Sequence, residues 1–302
     1  VFRLKMAAFL LISSLLFLSA CSGTKETTFS AEHIHGFSYT ADGKQLLTAT
    51  HDGLYAYANG KWSGPIGEPQ DLMGFSLTEK GIFSSGHPAP DSDKTNPLGL
   101  VQSVDNGETW KTIGFEGESD FHNMTAGFKT GAIYILNEQP NSKMGTGLYM
   151  SKDSGKTWTP ASMQGVVGNK LISMGAHASE AKTLAMGTDL GLYLSTDGGN
   201  RFNEALGGMQ ITSILFDRKD PEQVWIGGVT DHPVLVRFNM KTKQKEELSL
   251  PIKGSDDVVQ FIAQQPNNPK QMAIVTFKKH IYVSSDGGHK WTQIVKEGQS
   301  IK

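Results

Sequence analysis

Cysteine is almost missing from this chain: Cys21 is the only one among 302 residues. No intramolecular disulfide is available, so stability has to come from packing. A basic excess is missing too, with 28 Lys and Arg against 30 Asp and Glu. That balance argues against nucleic acid as a partner, because phosphate recognition needs a concentrated basic surface. Arginine is especially scarce, and beyond residue 20 only Arg201, Arg218 and Arg237 remain. Sustained helical periodicity is absent after the first twenty residues. The one long apolar run, Met6 to Leu18, is too short to span a bilayer as a helix.

What stands at the N-terminus is Arg3 and Lys5, then that run, then Leu18-Ser19-Ala20-Cys21. The order reads as a secretion signal over residues 1–20. The last four residues resemble the bacterial lipobox, which implies a diacylglyceryl group on the Cys21 sulfur. A plain cleavage site with a small apolar residue is the alternative. The lipobox reading implies a lipidated tether over 21–30 and a folded body over 31–302. The body is then held to a bacterial cell membrane on its extracytoplasmic side. Several acyl chains on one residue make such an anchor firm, at about 0.8 kcal/mol per buried methylene. Removing 1–20 takes two basic residues and no acidic one, leaving a formal charge of −4.

Four segments share one pattern: Ser103 to Trp110, Ser151 to Trp158, Ser195 to Phe202 and Ser284 to Trp291. Each is Ser-X-Asp-X-Gly-X-X-aromatic, with Asp105, Asp153, Asp197 and Asp286 followed by Gly107, Gly155, Gly199 and Gly288. The aspartates are 48, 44 and 89 residues apart, and the last gap is two periods of about 44.5. A degenerate copy is therefore expected near Val236 to Lys243, and a shortened one at Tyr55 to Trp62. β-rich runs precede the pattern, such as Thr183 to Gly187 then Gly191 to Ser195, and Gln271 to Phe277 then His280 to Ser284. An earlier strand, such as His33 to Tyr39 or Val258 to Ala263, completes four per unit. The chain is thus expected to be an all-β propeller of six four-stranded blades, with seven left open if the termini build another.

The four segments resemble the Asp-box, or BNR, repeat. Propellers with this repeat include sialidases and other glycoside hydrolases, sortilin-type receptors and photosystem assembly factors, so the resemblance implies architecture and not one activity. Within the box, the Asp is expected to cap a turn, the Gly to take positive φ and the aromatic ring to cover the blade edge. Sialidases carry three arginines that clamp a carboxylate. Here Arg201 falls inside a box, Arg218 in the Asp217-to-Pro221 turn and Arg237 on the degenerate strand, which argues against that chemistry. A more general glycosidase needs two carboxylates flanking one bond, and Asp52, Glu118, Asp120 and Glu138 are the candidates.

Histidines cluster early in the chain: His33, His35, His51, His87 and His122. Aligned by repeat, His35, Met73 and His122 open the first strand of successive blades, while His51 and His87 close the second. These points share one face of a blade, opposite the box turns. The pattern predicts a metal or ligand site there, suited to copper, zinc or iron, with Met73 tilting the choice towards copper. Hydrogen-bonded polar core residues are the competing reading. The irregular segment Gly86 to Gly99 is read either as covering the same face, bringing Asp91 and Asp93, or as a solvated insertion, and Phe115 to His122 either as placing Glu118 and Asp120 beside that site or as a plain connection between blades two and three. Two functions remain in play: a monomeric, surface-anchored binding or assembly module for an envelope protein or glycan, and an enzyme that is either metal-dependent or a divergent glycosidase.

Overall fold

The computed structural model describes residues 27–252 and 254–301. The expected signal over 1–20 and Cys21 lie outside them. Six sheets stand in a ring, spanning residues 34–66, 71–114, 124–161, 171–207, 210–248 and 259–300. Each is an antiparallel meander in chain order, five with four strands and the last with five. The expected runs become strands with small shifts: Leu184–Thr188 and Gly191–Ser195 in blade 4, Met272–Thr276 and Ile281–Ser284 in blade 6. Among the described residues there is no helix, and none long and apolar enough to cross a membrane.

The first strand of each blade faces the ring axis, and the second is buried on both faces. Leu46–Thr50, Leu184–Thr188 and Met272–Thr276 have no exposed residue. A sheet normally exposes one side, but blades stack face to face, so both sides of the second strand lose water. Outer strands such as Lys245–Leu248 stay largely exposed. Close stacking leaves little room at certain backbones. A methyl group added at Gly36 would stand 2.2 Å from Cβ of Phe75 in the next blade.

The four Ser-X-Asp-X-Gly turns join the third and fourth strands and have one shared geometry. In blade 2, Ser103 Oγ donates to Asp105 Oδ1 (2.8 Å) and accepts from the Gly107 amide (2.8 Å), while Thr109 N–H donates to Asp105 Oδ1 (2.9 Å). The same serine-to-glycine bond recurs at 2.9 Å in Ser151/Gly155, Ser195/Gly199 and Ser284/Gly288. Trp110 and Trp158 each donate an indole N–H to the turn glycine carbonyl, whereas Trp291 donates to Ser249 O. Blade 5 lacks the motif, yet Asn239 takes over the turn by accepting from Lys241 N–H (3.0 Å) and Thr242 N–H (2.8 Å). Blade 1 replaces it with the two-residue turn Asn59-Gly60, both at positive φ.

The ring is closed by residues 27–31, which bridge blades 6 and 1. Ser300 N–H donates to Phe29 O and Ala31 N–H to Gly298 O, so residues 29–31 pair with the last strand, Gln299–Ser300. Thr27 N–H donates to Trp62 O in blade 1. Phe29 is fully buried and stacks on Trp62 at 4.1 Å. The described part of the expected tether, residues 27–30, is therefore built into the closure of the propeller, and six blades complete it.

Candidate metal centre

The first strands carry a recurring irregularity that places the site. Pairing slips between Ile34 and Gly36, so His35 is an extra, bulged residue. Bulges re-aim a side chain. Comparable slips in blades 4, 5 and 6 put Ile172, Thr212 and Gln260 at that point. Only blade 1 among these four places a histidine there.

His51 follows the second strand Leu46–Thr50, and Asp71 opens the first strand of blade 2. Both are on the same face as His35, opposite the Ser-X-Asp-X-Gly turns. His35 Nε2 lies 3.2 Å from His51 Nε2, and His51 Nδ1 lies 2.7 Å from Asp71 Oδ2. The His33 ring stands 4.9 Å from the His51 ring and stacks at 6.0 Å on His35. One ligand atom each from His35, His51 and Asp71 fits within a 4.8 Å span. Asp71 Oδ1 is buried without a hydrogen-bond partner among the described residues, 4.0 Å from His35 Nε2.

The chemistry follows from the proton positions. Asp71 accepts the Nδ1–H of His51, which leaves the His51 Nε2 lone pair facing His35. Burial is the main cause holding the His35 pKa down to about 4, opposed by Asp71 and reinforced by His51, His33 and His122. At neutral pH His35 is uncharged and offers a lone pair. Two imidazole nitrogens on a tetrahedral ion with bonds of 2.0–2.1 Å stand ~3.3 Å apart. The observed 3.2 Å matches that edge. It also matches one Nε2–H donating to the other nitrogen, so the geometry serves a metal shell or a histidine pair. Asp71 stands where a carboxylate would orient the His51 imidazole if that ring held a metal.

The other histidines form a second group. Asp120 Oδ2 sits 3.2 Å from His87 Nε2 and 3.3 Å from His122 Nδ1. His87 Nδ1 donates to Asn96 Oδ1 at 2.7 Å, which ties the 88–99 loop to this group. Asp120 Oδ1, like Asp71 Oδ1, is buried without a partner among the described residues. Five of the six predicted ligands thus divide into His33, His35 and His51 with Asp71, and His87 and His122 with Asp120. The Met73 side chain is buried beside His35 and His122 on the axial cavity, but forms no hydrogen bond or ring contact among the described residues. Asp71 was missed by sequence reasoning, because a lone aspartate between blades carries no motif.

The glycosidase candidates are dispersed among other duties. Glu118 accepts from Ser142 N–H and Oγ–H, and Glu138 from Asn123. Asp52, Asp91 and Asp93 lie in turn and loop positions, and all three are exposed. Arg201 is exposed, Arg237 faces Glu246 at 3.7 Å, and Arg218 is buried on the axis. The histidine face also carries exposed apolar side chains, Val167, Leu190 and Phe277.

No protein-family model matches the chain, and no curated protein does. Solved structures do. The GH74 enzyme of Niastella koreensis aligns over 89% of this chain and 46% of its own, at 14% identity and TM-score 0.60. The extracellular domain of the B. thetaiotaomicron one-component system BT4673 aligns over 92% and 36%, at 12% identity and TM-score 0.56. YCF48 from Cyanidioschyzon merolae aligns over 89% and 87%, at 12% identity and TM-score 0.52. This chain spans less than half the length of the GH74 enzymes. Similarity at these identities shows the propeller fold.

Proposed function

We propose that this protein is a lipid-anchored binding module of the bacterial envelope. Its Asp-box propeller carries a transition-metal site at His35 and His51, with Asp71 and His33 beside it, on the face opposite the box turns. The observation that supports this most is the 3.2 Å between the two Nε2 atoms, with Asp71 set behind His51. Imidazole and carboxylate suit zinc or iron. Imidazole suits copper as well, so copper stands beside zinc and iron. Val167, Leu190 and Phe277 give the same face apolar surface for an envelope protein or glycan. A YCF48 structure holds a D1 peptide, so a propeller of this kind has been seen with a peptide ligand.

Zinc competition against a chromophoric chelator tests the site. His35→Ala is expected to abolish the strong binding, and Asp71→Asn to weaken it by about 10–100-fold, with far-UV circular dichroism unchanged. Equal affinity in all three proteins would discard the metal reading. The anchor is tested by labelling cells with palmitate: label on the wild type and none on Cys21→Ser is expected. A divergent glycoside hydrolase is the second reading, favoured by Asp71 and Asp120, each with one buried carboxylate oxygen unpaired among the described residues. Hydrolysis of a β-glucan by the wild type, lost in Asp71→Asn, would move it to first place.

A further inference from the structure

Arg218 sits at the far end of the axial cavity from the histidines. It follows the first strand of blade 5, Gln210–Phe216, and reaches across the axis to two blades that are not its neighbours. Its Nη2 donates to Ser38 Oγ of blade 1 at 3.3 Å, and its guanidinium lies 4.1 Å from the centroid of the Phe128 ring of blade 3. The residue is 7% exposed, and Nε and Nη1 are buried with no hydrogen-bond partner among the described residues.

Asp217 does not neutralise it through an ion pair. Asp217 Oδ1 accepts from the amides of Lys219 and Asp220, and Oδ2 accepts from Trp225 Nε1 and Gln264 Nε2. Burial holds the Arg218 pKa down to about 10, which still leaves it charged at neutral pH. A buried guanidinium cannot escape its desolvation cost by losing a proton, so it calls for an acceptor. The ring of Phe128 meets one face of the group and offers no lone pair in its plane.

The cavity has a volume of about 350 Å³ and is lined by hydroxyls as well as Arg218. Ser76 Oγ accepts the Ala126 amide and Thr125 Oγ1 accepts the Ala176 amide. Each hydroxyl keeps its own O–H, which has no acceptor among the described residues. Donors of one kind therefore gather around one space with no carboxylate lining it. We propose that the axial cavity binds a single small oxyanion, of the carboxylate, sulfate or phosphate class, at the guanidinium of Arg218, the one arginine or lysine in its lining.

Calorimetric titration of the full chain with phosphate, sulfate and acetate tests this. The protein is treated with chelator, and ionic strength is held constant with chloride. At least one of the three is expected to bind saturably to one site. The affinity is expected to fall by about ten-fold or more in Arg218→Met, as removal of a charge-assisted bond implies. It should be retained in His35→Ala, which separates this site from the metal reading. If Arg218→Met does not fold, Arg218→Lys, which keeps the charge but not the fork, is expected to bind several-fold more weakly. Absence of saturable binding to the wild type, or equal affinity in the Arg218 variant that folds, would overturn the proposal.

Discussion

Gly155 of blade 3 lies against Leu100 of blade 2 so closely that a methyl group on its α-carbon would stand 2.5 Å from Leu100 Cδ2. The same fit recurs between Gly199 and Leu148, at 2.5 Å, and between Gly107 and Leu54, at 2.3 Å. The turn glycines are therefore contact points between blades as well as turn residues. At φ +84° Gly155 is also in the left-handed region. Gly155→Ala meets both penalties, and a loss of about 2–4 kcal/mol is expected in urea unfolding. A change below about 0.5 kcal/mol would show that the blades can part without cost at this point.

The turn aspartates link stability to acid. The Asp153 pKa is held down to about 2, first by Thr157 Oγ–H, then by the Thr157 amide and Ser151. A carboxyl whose folded pKa lies below its unfolded value near 3.9 stabilises the fold above that value. The contribution is lost as pH falls from about 4 towards 2. Wild-type unfolding free energy should therefore decline more steeply over that window than that of Asp153→Asn, measured by urea titration at stepped pH. Parallel profiles would contradict the role of the charged form.

Phe29 ties the start of the described chain to blade 1 through its stack on Trp62. Removing a fully buried ring leaves a cavity, and Phe29→Ala is expected to cost about 3–5 kcal/mol. Because the ring covers Trp62, the variant should also shift tryptophan emission to longer wavelength. Wild-type stability in the variant would mean that the closure is dispensable.

Much of the architecture was legible in the sequence because the repeat is punctuated. Four Ser-X-Asp-X-Gly turns at a period near 44.5 pointed to six blades with seven left open, and Asn239 shows why blade 5 could be inferred without the motif: an asparagine oxygen accepts the same turn amides. The histidine face was legible for the same reason, since repeat alignment places His35 and His51 at one end of a blade. What escaped was set by contacts between blades. Asp71 meets His51 across a blade boundary, and Asp120 meets His87 likewise. Their local sequence is that of ordinary connecting segments. Arg218 reads as part of a polar turn in Asp217 to Pro221, and only ring closure turns it onto the axis. Phe29 reads as tether, because a single aromatic residue has no periodicity from which burial can be inferred.

In the proposed site His35 and His51 ligate one metal ion. Elemental analysis of protein beginning after Cys21, purified without a histidine tag, measures this directly against the His35→Ala, His51→Ala variant. About one equivalent of zinc, iron or copper in the wild type and none in the variant is the predicted result. A wild type that takes up no metal after reconstitution would contradict it and identify the pair as a hydrogen-bonded element of the propeller face.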